Sequence, residues 1–145
     1  MTVIWSPAGN ALVTAGVPDL NGTRPGAIIL WQQEADGRFH EQFRTRSIRA
    51  GYTCCNWPAP FNPSGTRVAM EKMHTAEAVS LSLLVFDLEA REVVQTLREY
   101  ELGGWQSDDL LLTAEAQGNT RRTLWDVQTG ASVLGMAANT GDDVV

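Results

Sequence analysis

The side chains able to do chemistry are few and scattered. His40 and His74 stand far from each other and from the adjacent pair Cys54 and Cys55, and neither a CxxC nor an HxxxH spacing occurs. No metal centre is expected. Neighbouring cysteines on an extended chain point to opposite faces, so one buried thiol and one on the other side is the reading, without a disulfide framework. Asp108 and Asp109 form an acidic pair, but calcium would need several further oxygen ligands at fixed spacing, and the pair is read as turn capping. The chain contains no Gly-x-Ser-x-Gly elbow, phosphate loop or dinucleotide glycine fingerprint. No catalytic residue and no cofactor are assigned.

Binding is better represented than catalysis. Trp57 lies in Asn56-Trp57-Pro58-Ala59-Pro60, where two prolines keep the segment out of a central strand and stiffen it, so it is the leading candidate for an exposed aromatic contact. The competing role for this segment is an apolar plug. Tyr52 lies just upstream, and His74, in Met73-His74-Thr75, falls in an expected loop and joins the same candidate surface. In Arg44-Thr45-Arg46 the strand period of two places both guanidinium groups on one face, where they suit carboxylate or phosphate groups or guard a sheet edge. Trp57, Tyr52 and His74 are the primary ligand or partner residues; Arg44 and Arg46 form a weaker patch.

These residues must be held by elements, and the elements repeat. One unit carries Val3-Ile4-Trp5-Ser6-Pro7-Ala8-Gly9, then Ala11-Leu12-Val13-Thr14-Ala15, then Ala27-Ile28-Ile29-Leu30-Trp31. A second carries Phe61-Asn62-Pro63-Ser64-Gly65, Thr66-Arg67-Val68-Ala69-Met70 and Ser82-Leu83-Leu84-Val85-Phe86-Asp87. The third carries Trp105-Gln106-Ser107-Asp108-Asp109, Leu110-Leu111-Leu112-Thr113-Ala114 and Arg122-Thr123-Leu124-Trp125-Asp126. Within units the two aromatic landmarks lie 26, 25 and 20 positions apart, and between units the first landmark advances by 56 and then 44. Periods of roughly 40 to 50 residues are those of propeller blades.

Ser6-Pro7-Ala8-Gly9 and Asn62-Pro63-Ser64-Gly65 place an acceptor at i, proline at i+1 and glycine at i+3, the chemistry of a type I turn joining two antiparallel strands. Ser107-Asp108-Asp109 is a weaker version. Asp36-Gly37 and Thr129-Gly130 mark hairpins into polar fourth strands at Arg38 to Phe43, Glu92 to Leu97 and Ser132 to Met136. Frequent turn signals and β-branched runs disfavour helix throughout. The expected fold class is all-β: three four-stranded antiparallel blades in one domain, 1–145, with blades at 2–46, 51–100 and 101–138 and a polar tail at 139–145.

At 145 residues, with 43% of positions hydrophobic and 19% charged, the chain suits a single globular domain with an adequate core. Eleven basic against seventeen acidic side chains, a net charge of -6, argue against nucleic acid. No apolar run suits a membrane helix and the N-terminus has no signal-peptide pattern, so no membrane partner and a cytoplasmic location are expected.

In the order of these motifs, from Ser6-Pro7-Ala8-Gly9 to Leu124-Trp125-Asp126-Val127-Gln128-Thr129-Gly130, the chain resembles a WD-repeat-like β-propeller of the looser bacterial kind. The Gly-His dipeptide of strict repeats is absent, and the Trp-Asp pair survives only at Trp125-Asp126, with Phe86-Asp87 and Trp31-Gln32 in its place. Closed propellers have about 4 to 8 blades, so three imply a ring completed by a second copy of the chain or by further blades of a larger protein. The resemblance implies a non-catalytic module binding a protein or small ligand. Its alternatives are part of a propeller-type hydrolase or lyase, or a sugar-binding propeller.

Overall fold

A computed structural model describes residues 1–16, 26–47, 59–73, 81–115 and 121–136. It contains eleven strands among these residues: β1 Thr2–Trp5, β2 Ala11–Ala15, β3 Gly26–Gln33, β4 Phe39–Ser47, β5 Arg67–Met73, β6 Leu81–Asp87, β7 Glu92–Arg98, β8 Tyr100–Trp105, β9 Leu110–Glu115, β10 Arg122–Asp126 and β11 Ser132–Met136. They form three antiparallel sheets in chain order, β1-β2-β3-β4, β5-β6-β7 and β8-β9-β10-β11. In the second sheet the place next to β5 is taken by Pro60 and Phe61. Phe61 bridges Val68, and the Ala69 N–H donates to the Pro60 carbonyl at 2.8 Å.

Register makes the repeat exact at the level of residues. The first-strand aromatics Trp5, Phe61 and Trp105 pair with Leu12, Val68 and Leu111, and those same three pair on their other side with Trp31, Phe86 and Trp125. Each sheet bulges at the same place against its outer strand, after Leu30, Val85 and Leu124, leaving Gln42, Val94 and Val133 as the extra residues, and the third sheet shifts register once more at Gly103 of β8. A bulge increases local twist.

The sheets stack face to face around two cores. One joins Ala11, Val13, Ile28 and Leu30 of the first blade to Val68, Met70 and Phe86 of the second, with Phe43 and Phe86 stacked at 5.7 Å between ring centroids. The other joins Ala69, Leu83 and Val85 of the second blade to Leu102, Leu111 and Val127 of the third. Burying one such side chain contributes roughly 1.5–3 kcal/mol, which makes face stacking the main source of stability. Both faces of the middle sheet are consequently apolar, and β6 is buried along Leu81 to Phe86 without alternation. The end sheets alternate instead: β2 and β3 switch between buried and half-buried positions, and so do Leu110 to Thr113 of β9.

The turns stack along with the sheets. Gly65, at φ +74°, is so close to the first blade's turn that an added Cβ would lie 3.0 Å from the Ala8 nitrogen. Only glycine fits both the left-handed conformation and that contact. At the hairpins before the outer strands, Gly37 and Gly130 have φ of +79° and +74°, but Arg91 holds the same left-handed position at +57° in the second blade.

Candidate interaction surfaces

Each blade has a leading face, turned towards the preceding blade, and a trailing face. The leading face of the third blade shows what such a face does when covered. Trp105 donates its indole N–H to the Pro60 carbonyl at 2.8 Å, Leu102 is only 5% exposed, and Trp125 donates to Thr113 Oγ1 at 2.8 Å, all against the second blade. The first blade carries the same set. Trp31 donates to Thr14 Oγ1 at 2.9 Å, and Trp5 and Val3 stand in register with the positions of Trp105 and Leu102. Yet Trp5 is 56% exposed and Val3 45%. Among the described residues no other blade packs on Trp5 or Val3, and the ring contact of Trp5 is with Phe39 of its own sheet, edge to face at 5.5 Å.

The trailing face of the third blade is open in the same way. Leu112 and Leu124 hold the positions of the buried Val13 and Leu30, and of Ala69 and Val85, but are half-exposed. Val133, at 56% exposure, is the counterpart of Val94, which packs against the third blade, and of Gln42, which accepts from Arg91 of the second blade.

Polar contacts lock the covered faces. Asn62, fully buried, accepts the N–H groups of Thr66 and Arg67 at 2.8 and 2.9 Å and donates to Thr66 Oγ1 and, across the interface, to the Asp108 carbonyl at 3.2 Å. Asp108 accepts the Ser64 N–H at 2.7 Å, and Asp109 accepts from Arg67 at 2.7 Å and from Gln128 at 3.0 Å. The acidic pair expected to cap its own turn thus clamps two blades, while Ser107 Oγ accepts the turn's N–H groups. Arg91 binds Glu34 through both carboxylate oxygens, the Nη2 bond measuring 2.9 Å. That guanidinium holds the Glu34 carboxyl below its ordinary range, aided by the Gln42 amide.

Arg44 and Arg46 flank the buried Thr45 and are both exposed, as the strand period requires. By register they share the leading side of β4 with Ile29 and Ala27 of β3, so they form the outer rim of the open leading face. Arg44 binds Glu41 at 2.6 Å, which lowers the carboxyl's pKa and raises that of the guanidinium. Trp57, Tyr52 and His74 lie outside the described residues, as do Cys54 and Cys55. His40 is exposed, 3.2 Å from Asp36.

One cleft escaped the sequence reading. Tyr100, Glu115, Arg121, Thr123, Trp125 and Ser132 line an open pocket of about 280 Å³ at the edge of the third blade, with Tyr100 and Trp125 edge to face at 5.3 Å. Its members come from four strands and from Arg121 just before β10, a juxtaposition that no local motif announces. Among the described residues no group of three or more His, Cys, Asp or Glu is placed to hold a metal ion, and no helix is long and apolar enough to cross a membrane.

No family model and no curated protein matches the chain. Among solved structures it is similar to the β-propeller domain of the Trilobed protease from Pyrococcus furiosus, described as having an open velcro topology. The TM-score is 0.50 at 16% identity, over 87% of this chain and 38% of that one. The likeness is one of fold: the chain is all-β and propeller-like, and it spans well under half the length of the propeller it matches.

Proposed function

We propose that this chain is a non-catalytic interaction module, a partial propeller of the loose WD-repeat-like kind that binds protein through its end blades. The observation carrying this reading is the contrast between Trp5 with Val3 and Trp105 with Leu102. In matching register, Leu102 is buried and Trp105 half-buried against the second blade, whereas Val3 and Trp5 are exposed. A tryptophan and a valine side by side on an alternating sheet face form the kind of apolar patch that marks a protein contact. The rim of Arg44, Glu41 and Arg46 adds polar selectivity around it. Trp57, Tyr52 and His74 are proposed as a second, loop-borne surface.

Two observations favour rival readings. The similar propeller domain belongs to a protease, which suits the alternative of a propeller-type enzyme, hydrolase or lyase. The cleft over Trp125 and Tyr100 combines aromatic faces with a carboxylate and a guanidinium, which suits a sugar. Incubating the purified chain with peptide, ester and polyuronate substrates, and titrating a glycan panel against tryptophan fluorescence, separates the three. The module reading expects no turnover and no glycan-dependent change. Turnover abolished by Arg121→Ala or Glu115→Gln would replace it with the enzymatic reading, and saturable quenching lost in Trp125→Phe would replace it with the sugar-binding one.

A further inference from the structure

Building on the module reading, we infer that the occupant of the open leading face is the trailing face of a second copy of this chain, so that two copies join head to tail into a six-bladed ring. The chain displays both halves of such an interface. Its leading face repeats the residues that the third blade uses against the second: Trp5 for Trp105, Val3 for Leu102, and the Trp31–Thr14 pair for Trp125–Thr113. The trailing face of the third blade offers Leu112 and Leu124 where the first two blades offer Val13 with Leu30 and Ala69 with Val85. Two junctions of this type are already made inside the chain, each with a buried apolar centre and polar contacts across it, Gln32 to the Leu88 carbonyl and Arg91 to Glu34 at the first, Asn62 and Arg67 to the Asp108–Asp109 turn at the second. The docked arrangement therefore continues an existing interface.

The first blade's turn is also prepared for a neighbour. Gly9, at φ +76°, corresponds to Gly65 in its turn, but where Gly65 rests on Ala8 and Pro7, a Cβ on Gly9 would meet no atom within 4 Å. That space lies where the turn of a preceding blade belongs. In the pair of copies it receives the partner's third-blade turn.

Closure distinguishes this from open-ended association. A leading face meeting a trailing face is a heterologous contact, which gives a ring when the rotation closes and a filament when it does not. Three blades per chain bring two copies to six, inside the range of about 4 to 8 blades for closed propellers.

Light scattering coupled to size exclusion, on the purified chain and on three variants, tests the inference. Trp5→Glu and Val3→Glu alter the leading face, and Val133→Glu alters the trailing face; all three replace side chains close to half exposed or more, and circular dichroism verifies that each retains its sheet content. The expected result is a mass of two chains for the parent, halved in every folded variant. A parent of one-chain mass overturns the inference, and so does a growing series of masses. A dimer that survives Val133→Glu while Trp5→Glu breaks it would be a leading-to-leading pair, which also overturns it. None of these outcomes produces catalytic turnover, so failure of the second-copy assignment is separable from failure of the module reading.

Discussion

Trp125 donates its indole N–H to Thr113 Oγ1 at 2.8 Å, and Thr113 in turn donates to the Thr123 carbonyl at 3.2 Å. The first blade repeats the bond between Trp31 and Thr14 at 2.9 Å. At the corresponding places the second blade has Phe86 and Met70, both buried. Where the donor is lost the acceptor is lost with it, as expected if a lone partner would strand a polar group between blades. Removing Thr113 alone, as Thr113→Val, should cost about 1–2 kcal/mol. In a double-mutant cycle with Trp125→Phe, urea unfolding should report a coupling of about 1 kcal/mol. Simple additivity would show that the bond contributes nothing.

Asn62 satisfies two backbone N–H groups and donates twice, once across to the third blade. Asn62→Ala should destabilise the chain by roughly 2–3 kcal/mol, because two backbone N–H groups lose their acceptor, the Asp108 carbonyl loses its donor and a fully buried side chain is removed. Asn62→Asp keeps the acceptors and loses the donors, and should fall between the two. Urea midpoints of the three proteins rank them, and equal midpoints would remove the turn clamp from the account.

The Arg91–Glu34 pair gives the junction of the first and second blades a pH dependence. Arg91 depresses the folded carboxyl of Glu34, so the contribution is fully present above the ordinary glutamate value of about 4.3 and fades as pH falls through the depressed folded value. Both side chains meet solvent, so the effect is small and screened by salt. Parent and Glu34→Gln should differ in urea midpoint at neutral pH, and the gap should shrink as pH falls below the ordinary glutamate value. A gap that persists at low pH would assign the difference to something other than this charge pair.

Strands and turns were legible because their signals are local: Pro7 and Gly9 or Pro63 and Gly65 set the turns, and the apolar runs that follow each turn in the repeat marked β2, β5 and β9. Less legible was what depends on a neighbouring blade. Asp108 and Asp109 look like turn residues, yet their partners, Ser64 and Arg67, lie more than forty positions away. Arg91 in a left-handed conformation contradicts local preference, and it binds Glu34 of another blade there. Nor did residue type separate Trp5 from Trp105, because exposure depends on whether a sheet stands in front.

If the leading face of the first blade is a contact surface, Trp5 reports on it directly. Acrylamide quenching of the parent and of Trp5→Phe, compared across a dilution series, isolates the contribution of this one indole. Trp5 should be shielded in concentrated protein and open on dilution. A Trp5 equally open to quencher at every concentration would contradict it.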